Sequence, residues 1–210
     1  MALALLGTDP LPLNATVPKE SPDPIRPRED IMQGLLALAS AIDRINRFFA
    51  IIATILVAAS CFISAGNAIL RYAFSISSNA WLEIQWQMFA GIFLLGAPYV
   101  LKLNEHVRVD ILYGGRSQRN KLWIDVFGLI FFLGPACFMM TEMAWGFFMD
   151  SFNRLEISSN AGGLPVWPVK FLLPLGFALL LLQGIAELIK RIAGLQGHAQ
   201  YLTAYEKPLQ

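Results

Sequence analysis

FFAIIATILVAASCFISAGNAIL, residues 48–70, holds 23 consecutive residues between Arg47 and Arg71 without a charged side chain. An α-helix rises about 1.5 Å per residue, so a run of this length crosses a hydrocarbon core of about 30 Å. Three more charge-free runs follow, at 84–101, 126–141 and 171–186. The last two are short by themselves, but apolar flanks at 122–124, 143–149 and 164–169 lengthen them. The pattern predicts an all-α integral membrane protein with four transmembrane helices, at about 47–70, 82–102, 122–147 and 165–188.

Composition supports this. Hydrophobic residues make up 56% of the 210 and charged residues 15%, against about 25% charged in a soluble domain. The four spans and their connectors use nearly everything after residue 30, which leaves no stretch for a separate soluble domain. The net charge of +1 is split among short loops and points to no nucleic-acid partner. Residues 1–30 hold six of the twelve prolines among mixed charges, the composition of a disordered cytoplasmic tail. Their opening, MALALLGTDP, has no basic start and too short an apolar run for a signal peptide. Cys61 and Cys137 both fall inside apolar runs, where buried, unpaired thiols are expected.

The basic residues set the orientation. Lys and Arg number five up to Arg47, five between Lys102 and Lys121, and three from Lys190 onward, 13 in all. The other two connectors carry only Arg71, Arg154 and Lys170. Basic loops stay cytoplasmic, so both termini and the middle connector are expected inside. Trp81, Trp86, Trp145 and Trp167 then fall near the outer interface and Trp123 near the inner one, depths that suit amphipathic indole rings.

Within this frame, Asp30 and Gln33 resemble a capping box, and Ile31, Leu35, Leu38, Ile42, Ile45 and Phe49 recur at helical spacing. Residues 31–46 read as an amphipathic helix on the inner leaflet, with a cytoplasmic extension of the first span as the plainer reading. Gln33, Ser40, Asp43, Arg44 and Arg47 fall off the stripe. In the first span, Ala53, Val57, Ser60, Ser64 and Ala68 form a small-residue face that lets another helix approach. Pro98, Pro135 and Pro174 predict kinks. The connector 158–169, with two glycines and two prolines, reads as a loop, and residues 193–210 as a cytoplasmic tail.

Absent chemistry narrows the function. The two histidines, His106 and His198, lie outside the spans, which argues against axial haem ligation. No phosphate-binding glycine loop, metal-binding HExxH helix or nucleophile elbow occurs, so neither cofactor nor enzymatic activity is expected. Charges in the spans sit near helix ends, where snorkelling accounts for Glu83, Asp125 and Glu187. Glu142 is the deepest; a buried partner and a snorkelling side chain are its two readings. Secondary carriers show repeated, interrupted helices around a midplane site, which four spans without a repeat do not offer. The chain reads as a helper of a carrier.

The stretch NAWLEIQWQMFAGIFLLGAPYVLKLNEHVRVDILYGGRS, residues 79–117, resembles the small integral-membrane subunit (DctQ-like) of tripartite ATP-independent periplasmic (TRAP) transporters. The resemblance rests on Trp81 and Glu83, Gly96, His106 to Asp110, the connector 159–165 and Pro174-Leu175-Gly176, and covers roughly residues 44 to 192. The long Pro-rich N-terminus lies outside the common core and looks like longer variants linked to mannitol or chloroaromatic-compound uptake, a label that fixes no substrate. The resemblance implies a bacterial inner-membrane location and two protein partners. One is a large membrane carrier subunit driven by a sodium or proton gradient. The other is a periplasmic substrate-binding protein that captures an organic anion, often a carboxylate. His106, Arg108 and Asp110, which match the family's motif, read as a contact with the large subunit or with lipid headgroups at the inner face, or as an ordinary solvated loop; Glu83 reads as facing the docking protein or Arg71 at the outer face, or as a plain interfacial charge. Ser60 and Ser64 on the small-residue face complete the candidate set. The competing readings are a membrane anchor of an oxidoreductase or similar complex, and a small independent carrier.

Overall fold

Pro27 opens the first helix, where its missing N–H costs nothing because no acceptor exists in the first turn. That helix, α1 (Pro27–Phe74), runs for 48 residues. The computed structural model describes residues 27–76, 78–104, 115, 117–160 and 163–197. After α1 come α2 (Asn79–Leu103), α3 (Gln118–Gly128), a π-helical turn (Leu129–Leu133), α4 (Gly134–Asn153) and α5 (Trp167–Leu195). The third span, Gln118–Asn153, is thus one rod made of α3, the π turn and α4. Among the described residues, four helices are long and apolar enough to cross a membrane, at the four expected places.

The ends differ from the expected limits because the charged residues that flank the apolar runs remain helical. Residues 31–46 are helical and pass without interruption into the first span. Their buried side chains are Met32, Ala39, Ile42 and Asn46, while Ile31, Leu35, Leu38 and Ile45 point outward. Only Ile42 of the expected stripe between 31 and 46 packs inward. The packed face is therefore rotated by about one residue from the expected one.

Three helices stop at residues with left-handed backbone. Ser75 (φ 56°) follows α1, where the Ile76 N–H closes onto the Leu70 carbonyl at 3.2 Å. Asn104 (φ 62°) caps α2, and Leu155 (φ 47°) follows α4. Asparagine tolerates this conformation; leucine there is strained.

Helix α5 is the central post, in contact with α1, α2 and each part of the third span. Glycine permits the closest approach. A Cβ on Gly176 would lie 2.7 Å from the Leu94 Cβ and 3.0 Å from the Leu94 carbonyl oxygen, so α2 and α5 touch there backbone to backbone. Ala53, Leu95 and Leu179 form a core where α1, α2 and α5 meet. The third span packs on α5, and a lateral groove of about 760 Å³ separates it from α2.

Pro98 and Pro174 lie inside helices, as expected, and both are buried. Pro135 follows the π turn instead of interrupting regular α-helix. The wider π winding absorbs the backbone bond that proline cannot make. Cys137 is buried, whereas Cys61 lies exposed on α1, contrary to the expectation for it; both thiols are free.

Candidate functional site

One end of the bundle gathers the first half of α1, the ends of α2 and α5, and the start of α3. Helix α5 contributes Gln183, Glu187, Lys190 and Arg191, spaced i, i+4, i+7 and i+8, which a 3.6-residue period places on one face. Helix α1 contributes Asp43 and Asn46, one turn apart. These residues form a continuous network. Asn46 Nδ2 donates to Gln183 Oε1 at 2.6 Å. Gln183 Nε2 donates to Asp43 Oδ1 at 2.9 Å and to Glu187 Oε1 at 3.3 Å. Lys190 Nζ donates to both Asp43 oxygens, at 2.9 and 2.8 Å, and to Glu187 Oε1 at 2.9 Å.

The other two helices close the network. Lys102, in the last turn of α2, lies 3.5 Å from Asp43 Oδ2. Arg191 Nε is 3.5 Å from Asp125 Oδ2 of α3, and its terminal nitrogen is 3.6 Å from Glu187 Oε2. Arg191 Nη2 also donates to the side chain of Asn104 at 3.4 Å. Asn104 thus ends α2 with its backbone and ties α2 to α5 with its amide.

Gln183 and Asn46 are both 0% exposed. Among the described residues, three acids, Asp43, Asp125 and Glu187, pair here with three bases, Lys102, Lys190 and Arg191. Burying one such charge without a partner costs several kcal/mol, so mutual neutralisation is the condition for holding six of them here. The arrangement pins all four spans at one end. Among the described residues no cluster has the make-up of a metal site.

The opposite end has a smaller polar assembly. Glu83 of α2 is 2% exposed, and its Oε2 accepts the Leu164 N–H at 3.5 Å. Gln87 Nε2 donates to the Pro165 carbonyl at 3.3 Å, and Gln85 Nε2 to the Ser60 carbonyl at 3.3 Å. Glu83 and Gln87 thus hold the arm at Leu164 and Pro165, where Ile157 is bridged antiparallel to Pro165 and the Val166 N–H bonds to the Glu156 carbonyl at 3.0 Å. Lys170 pairs with Glu156 and stands 4.1 Å from the centre of the Phe147 ring. The hydrogen bond from Lys170 holds the Glu156 carboxyl below its ordinary pKa.

The candidate residues are therefore distributed as follows. Glu83 and Ser60, expected at a partner surface, are buried within the bundle, with Glu83 turned toward its own chain's loop. Ser64 is exposed on α1. His106, Arg108 and Asp110 lie outside the described residues. Among its described members, no hydrogen bond joins one to another. The polar network was not foreseen as a unit. Asp43 falls off the apolar stripe and snorkelling accounts for Glu187 in the sequence, yet both are drawn in by ion pairs. The available signal was Gln183, a polar residue in an apolar run, one turn before Glu187.

A family model described as tripartite ATP-independent periplasmic transporters, DctQ component, matches residues 60–194, well over half the chain. The chain belongs to this DctQ family. No curated protein and no solved structure matches it. It is a small membrane component of a TRAP transporter, a multi-pass membrane protein, and its family is one of transporter parts rather than enzymes. The family match sets aside the oxidoreductase-anchor reading. The α2, α3 and α5 members of the network lie within the matched range of this DctQ chain, whereas Asp43 and Asn46 precede it.

Proposed function

We propose that this DctQ chain braces the large carrier subunit of its transporter and helps dock the periplasmic substrate-binding protein. The cargo is an organic anion, in our reading a carboxylate, taken up across a bacterial inner membrane on an ion gradient. The observation that carries the scaffold role is the polar network: among the described residues, its ionisable groups join four helices to one another. A transport site needs polar groups left for the substrate and a path past them. The uneven sharing of basic residues supports a cytoplasmic face for the network and a periplasmic face for the 154–166 loop. On that orientation the loop, held by Glu83, Gln87 and Lys170, is the surface available to the binding protein. The exposed Ile31, Leu35, Leu38 and Ile45 sit where the inner leaflet would cover them.

Reconstitution tests this. Vesicles holding this chain alone should not accumulate any labelled carboxylate. Vesicles holding it with the large subunit, and supplied with the binding protein, should do so. Uptake by the chain alone would refute the scaffold role.

A further inference from the structure

Glu142 lies midway along α4 with its side chain exposed, and it forms no hydrogen bond or ion pair with any described residue. The buried face of α4 is Cys137, Phe148 and Ser151. At 100° per residue, Glu142 points roughly opposite to that face. It is therefore directed away from α5. The groove between α2 and the third span opens on a different side, past Ala136 and Met140.

Its depth can be read from the neighbouring helix. Lys170 stands over Phe147, and Asp125 lies level with Arg191 at the network end. Glu142 is five residues from Phe147 and 17 from Asp125. At 1.5 Å per residue it sits ~7 Å below the Lys170 level and ~25 Å above the network. That is inside the apolar part of the span. Its surroundings are Phe138, Met139, Met143 and Trp145, each more than half exposed. One turn on, Gly146 has open space where a Cβ would be, so another backbone can come close.

We propose that this face of α4, centred on Glu142, is the contact with the large carrier subunit, and that a helix of that subunit presents a cationic or hydrogen-bond-donating side chain to the carboxylate. The proposal rests on the scaffold reading above and names its surface. Charge decides the occupant. Lipid tails offer a carboxylate no partner. A second copy in a two-fold contact centred here would set one Glu142 against another. A partner helix with a donor at this depth satisfies the carboxylate and covers the apolar residues around it.

The test uses the chain co-expressed with the large subunit and the binding protein. Phe138 and Met139 are replaced in turn by a photoactivatable benzoylphenylalanine, and membranes are irradiated. The expected product is an adduct of this chain with the large subunit. In parallel, Glu142→Leu should lower the large subunit recovered per copy of this chain at least tenfold, while the chain's own amount in membranes holds or rises. An adduct between two copies, or adducts with lipid only from a complex that still purifies intact, would overturn the proposal and leave the scaffold reading standing. Unchanged recovery with Glu142→Leu would do the same. If wild-type chain never copurifies with the large subunit, the scaffold reading itself falls.

Discussion

Removing the ammonium of Lys190 leaves the Asp43 and Glu187 carboxylates facing each other across Gln183. Breaking one side of a buried ion pair typically costs about 3–5 kcal/mol, because the remaining charge keeps its desolvation penalty. Lys190→Met should therefore lower the thermal transition in detergent markedly. Adding Asp43→Asn to that variant should restore part of the loss. If the double variant is no better than the single, the pairing is not what stabilises this end. The Glu156–Lys170 pair makes a pH-dependent prediction. Glu156 titrates lower in the folded chain than its ordinary value of 4.5, so its stabilisation is complete above 4.5 and fades as pH falls below it. Limited proteolysis of the 154–166 loop should accelerate below pH 4.5 in the native chain. Glu156→Gln should remove that dependence.

At the scale of helices, the contact between α2 and α5 depends on the absence of a side chain at Gly176. Gly176→Val forces the Leu94 backbone away, an overpacking cost of about 1–3 kcal/mol. The expected result is a lower thermal transition, with cysteines placed at neighbouring α2 and α5 positions cross-linking less readily. The four spans were legible in the sequence because charge-free runs of near-membrane length have few other uses. The full extent of the helices was not. Charges normally mark where a span leaves the lipid, but Lys190 and Arg191 stay helical beyond the expected limit of 188, each meeting an opposite charge from another helix. Those partnerships join positions as far apart as Asp43 and Lys190, 147 residues along the chain, and no local pattern encodes them. The π turn was missed for a related reason. Pro135 announces a broken backbone bond, but whether a kink or a wider turn absorbs it depends on neighbours such as Gly134, where a Cβ would lie 3.2 Å from the Leu129 carbonyl oxygen.

For the molecule as a whole, the uneven burial of its spans carries the functional argument. Helix α5 is the most buried of the four spans, while α1 and the third span keep broad apolar faces outward, among them Phe62, Ile69, Phe131 and Met143. Surfaces of this kind suit lipid or another subunit, and the network inside fixes the helices that present them. The family was legible through residues 79–117 and the later proline-glycine segment, and the match over residues 60–194 agrees with it. Which carboxylates turn inward was not legible, because a linear pattern cannot tell a buried Glu83 from an exposed Glu142. The most direct test is to tag this chain at its C-terminus, express it with its large subunit and binding protein, and weigh the particle released in mild detergent. The account predicts a particle containing both membrane subunits in fixed ratio. A particle composed of this chain alone, under conditions where the large subunit is present and soluble, would contradict it.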